Sequence, residues 1–380
     1  MNPHITKRLQ QALDQRKQAG LFRKITSAPG IRINLSSNDY LNLRTNPEII
    51  RASQKATEDY GSGSGASPLL TGFGLLHNQL LLALQKWIGK KSGLLFNSGF
   101  MANQALVHHL PGPNDLILTD RLIHHSIAQA LGQKNTNFHR FHHNDLDHLE
   151  SLLEKNQKDY GTLFVFTESL YSMDGDSPDL LRLARLKQKH DFFWILDEAH
   201  ALGVYGPKGE GLAKETEVLE HVDILVGTLG KSFASMGAFI LTDSKEVTDY
   251  LTNFSGELIY STFLPPAAAG TALAALDQIK CSRHQSKDLR ELSTSFRSQL
   301  VEEGHKTIDG DSPIVPVIFD EPNQVLKVQE QLLDAGIAVA AIRPPTVPPG
   351  KSRLRLSLHT GINSSHLDEF LNVTNQCGVL

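Results

Sequence analysis

From about residue 46 onward, helical patterns alternate with short apolar runs, and that alternation constrains the fold more than any other feature. The runs are LLF at 94–96, LIL at 116–118, LFVF at 163–166, FFWIL at 192–196 and ILV at 224–226, with MGAFIL at 236–241 as a further strand. Such a pattern predicts crossover units and a mainly parallel sheet, an α/β fold. Around Pro265-Pro266 it gives way to two long helical stretches and then to strand-like runs at 314–319, 337–342 and 353–358. Before residue 46, Ile5, Leu9, Ala12 and Leu13 keep helical spacing, and Ile31 to Leu35 alternate as a strand. The expected organisation is an N-terminal arm (1–45), a large domain (46–268) and a smaller α+β C-terminal domain (269–380).

A chain of 380 residues exceeds what one core usually serves, which agrees with two domains. The 37 basic and 41 acidic side chains leave a formal charge of -4, too balanced for a nucleic-acid or anionic-membrane partner. Cys281 and Cys377 have neither a pairing pattern nor metal-ligand spacing, and the first residues lack a secretion profile. A cytoplasmic protein is expected. No apolar run approaches the roughly 20 residues that span a bilayer.

Ligands of open parallel sheets bind beyond the carboxyl ends of the strands, so the polar residues there carry the functional signal. His124 follows LILTD, Ser172 follows TLFVFTESLY, Asp197 ends FFWILD with His200 soon after, and Thr228 and Lys231 follow DILVG. A partly desolvated lysine forms an imine with an aldehyde. An acid ending an apolar strand requires a cation, and a protonated pyridine nitrogen is one. Such a pair keeps the ring electron-poor and able to take up the electrons of a carbanion. His200 is placed to reach a ring hydroxyl. Asn97-Ser98-Gly99-Phe100, between a strand and a helix, offers donors for a phosphate, and Thr228 adds another. Singly, Lys231 reads equally as a surface lysine and Ser98 as a helix cap. The ordered set reads as a cofactor site.

Three motifs mislead. Gly230-Lys231-Ser232 resembles the tail of a nucleotide-binding loop, and Asp197-Glu198-Ala199-His200 an acidic box. The required upstream glycine is replaced by Leu225, no helix opens at the lysine, and the two motifs come in the wrong order. Gly61, Gly63 and Gly65 follow a helical segment rather than a strand, which opposes dinucleotide binding. Eight of the 17 histidines lie between 108 and 148, but without H-E-x-x-H or clustered cysteines, so no metal is expected.

The chain resembles the α-oxoamine synthases, fold-type-I pyridoxal-phosphate (PLP) transferases similar in architecture to aspartate aminotransferase. The resemblance rests on SSNDYL (36–41), GSGSGAS…LLTG (61–72), NSGFMAN (97–103), TDRLIHHS (119–126), ESLYSMDGD (168–176), DEAHALGVYGPKGEG (197–211), GTLGKSF (227–233), YSTFLPP (260–266) and TVPPGKSRLRLSL (346–358). It covers nearly the whole chain.

The resemblance implies that Lys231 forms the Schiff base with PLP, Asp197 pairs with the pyridine nitrogen, His200 contacts the ring oxygen and His124 stacks on the ring. Ser172 would lie beside the cofactor. Ser98, Gly99, Phe100 and Thr228 would hold the phosphate, with Thr262 reaching it from a neighbouring subunit, so that a homodimer shares its active sites. Arg355, assisted by Asn38, would take the amino acid carboxylate through its planar fork. Arg23 and Thr346 match positions for the acyl substrate. The closest cues within the family, TGFGLLHNQLLLAL and SMDGDSPDL among them, imply condensation of L-alanine with a pimeloyl thioester, carried by coenzyme A or an acyl carrier protein. Sister enzymes use glycine or serine, and an aminotransferase or a non-catalytic protein on the same fold are remoter alternatives. Pro68 stands where a polar residue is expected, and Glu198 where many relatives have aspartate. The alternation of side chains along a strand turns Glu198 away from Asp197.

Overall fold

The structure is a computed structural model that describes residues 2–23, 25, 30–133 and 136–376; Cys377 lies outside the described residues. Its strands are β1 (Ile33–Asn34), β2 (Ser92–Phe96), β3 (Leu116–Asp120), β4 (Asn137–Phe141), β5 (Leu163–Glu168), β6 (Phe193–Asp197), β7 (Ile224–Thr228), β8 (Ala238–Thr242), β9 (Ile314–Phe319), β10 (Ile337–Ala338), β11 (Ala340–Ile342) and β12 (Ser352–Ser357). By contact the chain forms two compact units, one of residues 38–172 and 176–288, the other of the described residues in 1–37, 173–175 and 289–380.

The larger unit is built on a seven-stranded sheet in the order β2-β8-β7-β6-β5-β3-β4. Strands β7, β6, β5, β3 and β4 are parallel to one another, and β8 runs antiparallel to both β7 and β2. Every residue of β3 and β5 is buried, as expected of central parallel strands covered on both faces. That burial is why the sequence shows continuous apolar runs there. At the edge, β4 (NFHRF) buries only Phe141, so it has no apolar run to betray it and escapes the sequence reading.

Caps set the helix starts. Asn46 accepts the Glu48 N–H at 2.8 Å ahead of the helix Pro47–Tyr60, whose first residue has no N–H to satisfy. Ser98 accepts the Met101 N–H at 3.2 Å and opens the helix Gly99–His109 directly beyond β2. The helix Pro266–Cys281 packs on Pro47–Tyr60 within the larger unit, and a Cβ at Gly270 would come within 2.6 Å of the Ala56 Cβ. The contact boundary therefore falls at residue 288, beyond the 268 at which the strand pattern stops.

In the smaller unit β11, β12 and β9 form an antiparallel sheet in that order, and β1 pairs in parallel with β10. The helix Pro3–Gln18 buries none of its residues. Among the described residues no helix is long and apolar enough to cross a membrane.

Candidate active site

Asp197 ends β6 and is 7% exposed. Its Oδ2 accepts a hydrogen bond from Asn103 Nδ2 at 2.8 Å, and its Oδ1 accepts the Ala199 N–H at 2.9 Å. Asn103, on the helix that Ser98 caps, also donates to Ser126 Oγ at 3.1 Å. Two neutral donors orient the carboxylate. Among the described residues no lysine, arginine or histidine forms an ion pair with it.

His200 follows on the turn after β6, buried, with its Nδ1 hydrogen-bonded to Tyr40 Oη at 2.7 Å. Tyr40 is fully buried and also donates to Asn38 Oδ1 at 3.4 Å, which brings Asn38 into the His200 group. The sequence reading took SSNDYL as a family marker but did not single out Tyr40. A tyrosine between Asp39 and Leu41 gives no signal that its hydroxyl meets a histidine 160 positions away.

Lys231 sits on the connection between the antiparallel strands β7 and β8, not at a helix start, so the nucleotide-loop reading fails on geometry. The connection is closed by Leu229 N–H to Gly237 O at 2.9 Å, Ser235 N–H to Leu229 O at 2.9 Å and Ala234 N–H to Lys231 O at 2.8 Å. Ser232 Oγ donates to Leu202 O at 2.7 Å. That seat depends on Gly203, which has φ +83° and where a Cβ would lie 2.5 Å from the Ser232 Cβ. The lysine turn and the histidine turn are thus packed directly together.

His124 lies exposed on the loop after β3, with Nδ1 2.7 Å from Ser126 Oγ. Desolvation by the protein around it lowers its pKa; the Asp197 charge opposes this, while Lys231 and His125 push it further down. The charges of Asp197 and Lys231 thus both act on this imidazole, with opposite sign.

Ser98, Gly99 and Phe100 form the first turn of their helix, and Thr228 at the end of β7 faces it: a Cβ on Gly99 would stand 3.9 Å from the Thr228 Cβ. The Thr228 hydroxyl donates to Gly237 O at 3.2 Å and accepts the Gly230 N–H at 3.3 Å. Ser172 is half-buried on the loop after β5. Thr262 is exposed, on a segment held by Asn97 Nδ2, which donates to Thr262 O and Ser261 Oγ, each at 2.7 Å. The glycine loop holds the same segment, with Ser64 Oγ donating to Phe263 O at 2.9 Å. Pro68 opens the single wide turn Pro68–Gly72 that ends this loop.

Two buried acids complete the crevice. Glu198 turns from Asp197 and accepts from Ser169 Oγ (2.7 Å), Ala213 N–H (2.7 Å) and Leu212 N–H (3.1 Å); burial still raises its pKa to about 7. Glu168, paired in register with Asp197, is fully buried, and desolvation with the Asp197 charge holds its pKa well above the carboxylate range. Sequence reasoning passed over Glu168 because nothing local distinguishes it from a strand-end acid.

Three of the clustered histidines meet acids. His108 Nδ1 and His109 Nε2 meet Glu257 at 2.8 and 2.9 Å, and His143 lies between Asp120 and Asp176.

The remaining candidates belong to the smaller unit. Arg355 is buried on β12 and donates to Ser357 Oγ at 2.6 Å. Arg353 on the same strand is engaged by Asp174 and by Met173 O. Arg23 Nη2 donates to Thr346 Oγ1 at 3.4 Å, so these two do come together. They line a cleft of about 280 Å³ with Arg16 and Arg343. Burial and the Arg23 charge lower the Arg343 pKa, and among the described residues no acid forms an ion pair with Arg16, Arg23 or Arg343.

The polar residues at the strand ends of the larger unit suit PLP. A buried acid without a cationic partner fits a pyridinium. The first turn of a helix that opens on Gly99, opposite a threonine hydroxyl, fits a phosphate, and a lysine on a tight connection fits an aldehyde.

Comparison with known proteins agrees. The family model for aminotransferase class I and II matches residues 31–373. The 8-amino-7-oxononanoate synthase of Enterobacter sp. (strain 638) is 39% identical, over 98% of this chain and 99% of its own. The solved 8-amino-7-oxononanoate synthase of Francisella tularensis superposes with a TM-score of 0.79 at 27% identity, covering 90% of this chain and 97% of its own. A serine palmitoyltransferase from S. paucimobilis with bound PLP-myriocin superposes at 0.89 and 25% identity, covering 97% and 96%.

Proposed function

The chain belongs to the aminotransferase class I and II family and, within it, to the 8-amino-7-oxononanoate synthases, and on that premise we propose the reaction of its crevice: L-alanine condenses with a pimeloyl thioester, carbon dioxide and free thiol leave, and 8-amino-7-oxononanoate remains. It is a PLP-dependent acyltransferase of biotin biosynthesis. The observation that carries the reading is Asp197 at the end of β6, oriented by Asn103, with Lys231 on the connection that follows the neighbouring strand β7.

PLP, when bound, supplies an electron sink for the bond broken at the amino acid α-carbon. Lys231 would hold it through Nζ, and the same amine would take the α-proton of the amino acid. Asp197, oriented by Asn103, keeps the pyridine nitrogen protonated, and His200, fixed by Tyr40, meets the ring oxygen. Ser98, Gly99, Phe100 and Thr228 hold the phosphate, and Ser172 lies beside the ring. His124 would cover the ring and offer a proton to the thioester oxygen. Arg355 takes the alanine carboxylate, with Asn38 assisting. Arg23 and Thr346 bind the acyl partner, whose terminal carboxylate or carrier phosphate suits the guanidinium groups that line that cleft.

We further assign a homodimer, with Thr262 completing the partner's phosphate site. Its support is the exposed apolar surface near that segment: Leu70 is 78% and Tyr260 87% exposed, more than an isolated chain needs to show. A reducing cytoplasm suits the exposed free thiol of Cys281.

The test is visible absorption of the PLP-loaded enzyme on adding L-alanine, glycine or L-serine, followed by pimeloyl-CoA or pimeloyl-carrier protein with thiol release measured. A spectral change with L-alanine and thiol release dependent on it support the reading. Preference for serine would favour the chemistry of the serine palmitoyltransferases that share this fold. Amino-group transfer to the cofactor without thiol release would indicate an aminotransferase.

A further inference from the structure

His143 lies on the turn after the edge strand β4, in the cluster the sequence reading set aside. Its Nδ1 is 2.9 Å from Asp120 Oδ1 and its Nε2 is 2.9 Å from Asp176 Oδ2. Asn144, in the left-handed conformation at φ 53°, repeats the bridge: its N–H donates to Asp120 Oδ2 at 2.8 Å and its Nδ2 to Asp176 Oδ2 at 2.7 Å. The two acids begin and end loops of the active site. Asp120 ends β3, accepts the Leu122 N–H at 2.7 Å and so shapes the loop that carries His124. Asp176 closes the loop that carries Ser172, since its carbonyl accepts the Tyr171 N–H at 2.9 Å. The Tyr171 ring packs edge-on against the imidazole at 4.6 Å.

Two ring nitrogens that each face a carboxylate oxygen both have to donate, and an imidazole with two N–H groups is the cation. An uncharged ring satisfies one acid and sets a lone pair against the other. The side chain is 19% exposed and Asp120 is fully buried, so little water is present to relieve that clash. The environment agrees: burial alone disfavours the cation, yet the bonds and charges of Asp120 and Asp176 raise the His143 pKa to about 9.

We propose that His143 is a positioning residue, a doubly donating tie between the loops of His124 and Ser172 that sets how those two side chains meet the cofactor. The proposal rests on the placement of His124 and Ser172 beside PLP. His143 touches neither cofactor nor substrate in this role; it acts through the loops.

The test compares the wild type with His143→Gln, a side chain of similar reach that donates at one end only, with both proteins fully loaded with PLP. We expect the visible circular dichroism of bound cofactor to change and kcat to fall about tenfold, with Lys231 still covalently attached. Wild-type kcat and dichroism in the loaded variant, with only a lower Tm, would reduce His143 to a structural residue and overturn the proposal. Should His143→Gln not fold, ¹⁵N spectra of histidine-labelled enzyme decide, with the His143 signal identified by its displacement in Asp176→Asn. Both ring nitrogens protonated at pH 8 supports the tie, and a neutral ring there defeats it. His124→Ala and Ser172→Ala are run beside these: if neither alters the cofactor spectrum, the placement of those two residues is what fails.

Discussion

Tyr40 Oη and His200 Nδ1 lie 2.7 Å apart, joining the start of the larger unit to the turn after β6. Both groups are buried, so the bond has no water to replace it. Tyr40→Phe should destabilise the enzyme by about 1–3 kcal/mol, the penalty for a buried polar group left unpaired. It should also shift the visible band of bound PLP, because His200 then loses the bond from its Nδ1 that orients it. Thermal melting and an absorption spectrum check the two effects separately.

Lys231→Ala should abolish turnover. Borohydride treatment followed by mass spectrometry should find cofactor fixed to the wild type and none to the variant. Steady turnover by the variant would remove Lys231 from the reaction.

Asp197→Asn retains the shape and an acceptor toward the Ala199 N–H but gives up the charge. PLP should still bind covalently, whereas kcat should fall roughly 10²-fold or more, the scale seen when one preorganised electrostatic partner is removed. A kcat within threefold of wild type would deny the ion pair with the ring.

Stability should decline with rising pH in two windows. Glu198 has its folded pKa raised from 4.5 to about 7, so the unfolded chain ionises first and stability falls between those values, levelling above 7. His143 is raised from 6.5 to about 9; its contribution is complete below 6.5 and disappears as pH climbs through 9. Melting temperatures from pH 5 to pH 10 should show both slopes, and His143→Gln should flatten only the upper one.

Arg343→Ala should raise KM for the acyl thioester about tenfold, equivalent to about 1.4 kcal/mol, and leave KM for L-alanine unchanged. If the anion held in the cleft is the terminal carboxylate, thioesters of monocarboxylic acids should not feel the substitution. If it is a carrier phosphate, they should feel it equally.

Much of this architecture is legible in the chain, for a physical reason. Strands buried on both faces must be apolar throughout, so β3, β5, β6 and β7 announce themselves, and the residues just past them are the crevice. What escapes is whatever depends on partners distant in sequence. The edge strand β4 has exposed residues and no signature. Tyr40 and Asn103 act by orienting His200 and Asp197, and no local pattern distinguishes them from ordinary buried polar residues. The helix Pro266–Cys281 shows its apolar face but not the Pro47–Tyr60 helix it will meet, so the contact boundary was out of reach. Nor does a histidine-rich segment reveal that one ring lies between two acids.

The antiparallel course of β8 bears on how such an enzyme can diverge. The chain leaves the sheet at Thr228 and re-enters beside it at Ala238, in register with the strand it left. Loop length there is locked to strand register, and one residue added or lost would exchange the faces of β8, moving Phe239 off the bare backbone of Gly227 that makes room for its ring. Substitutions can accumulate around Lys231, but an insertion or deletion is tolerated only where the connection absorbs it without slipping β8.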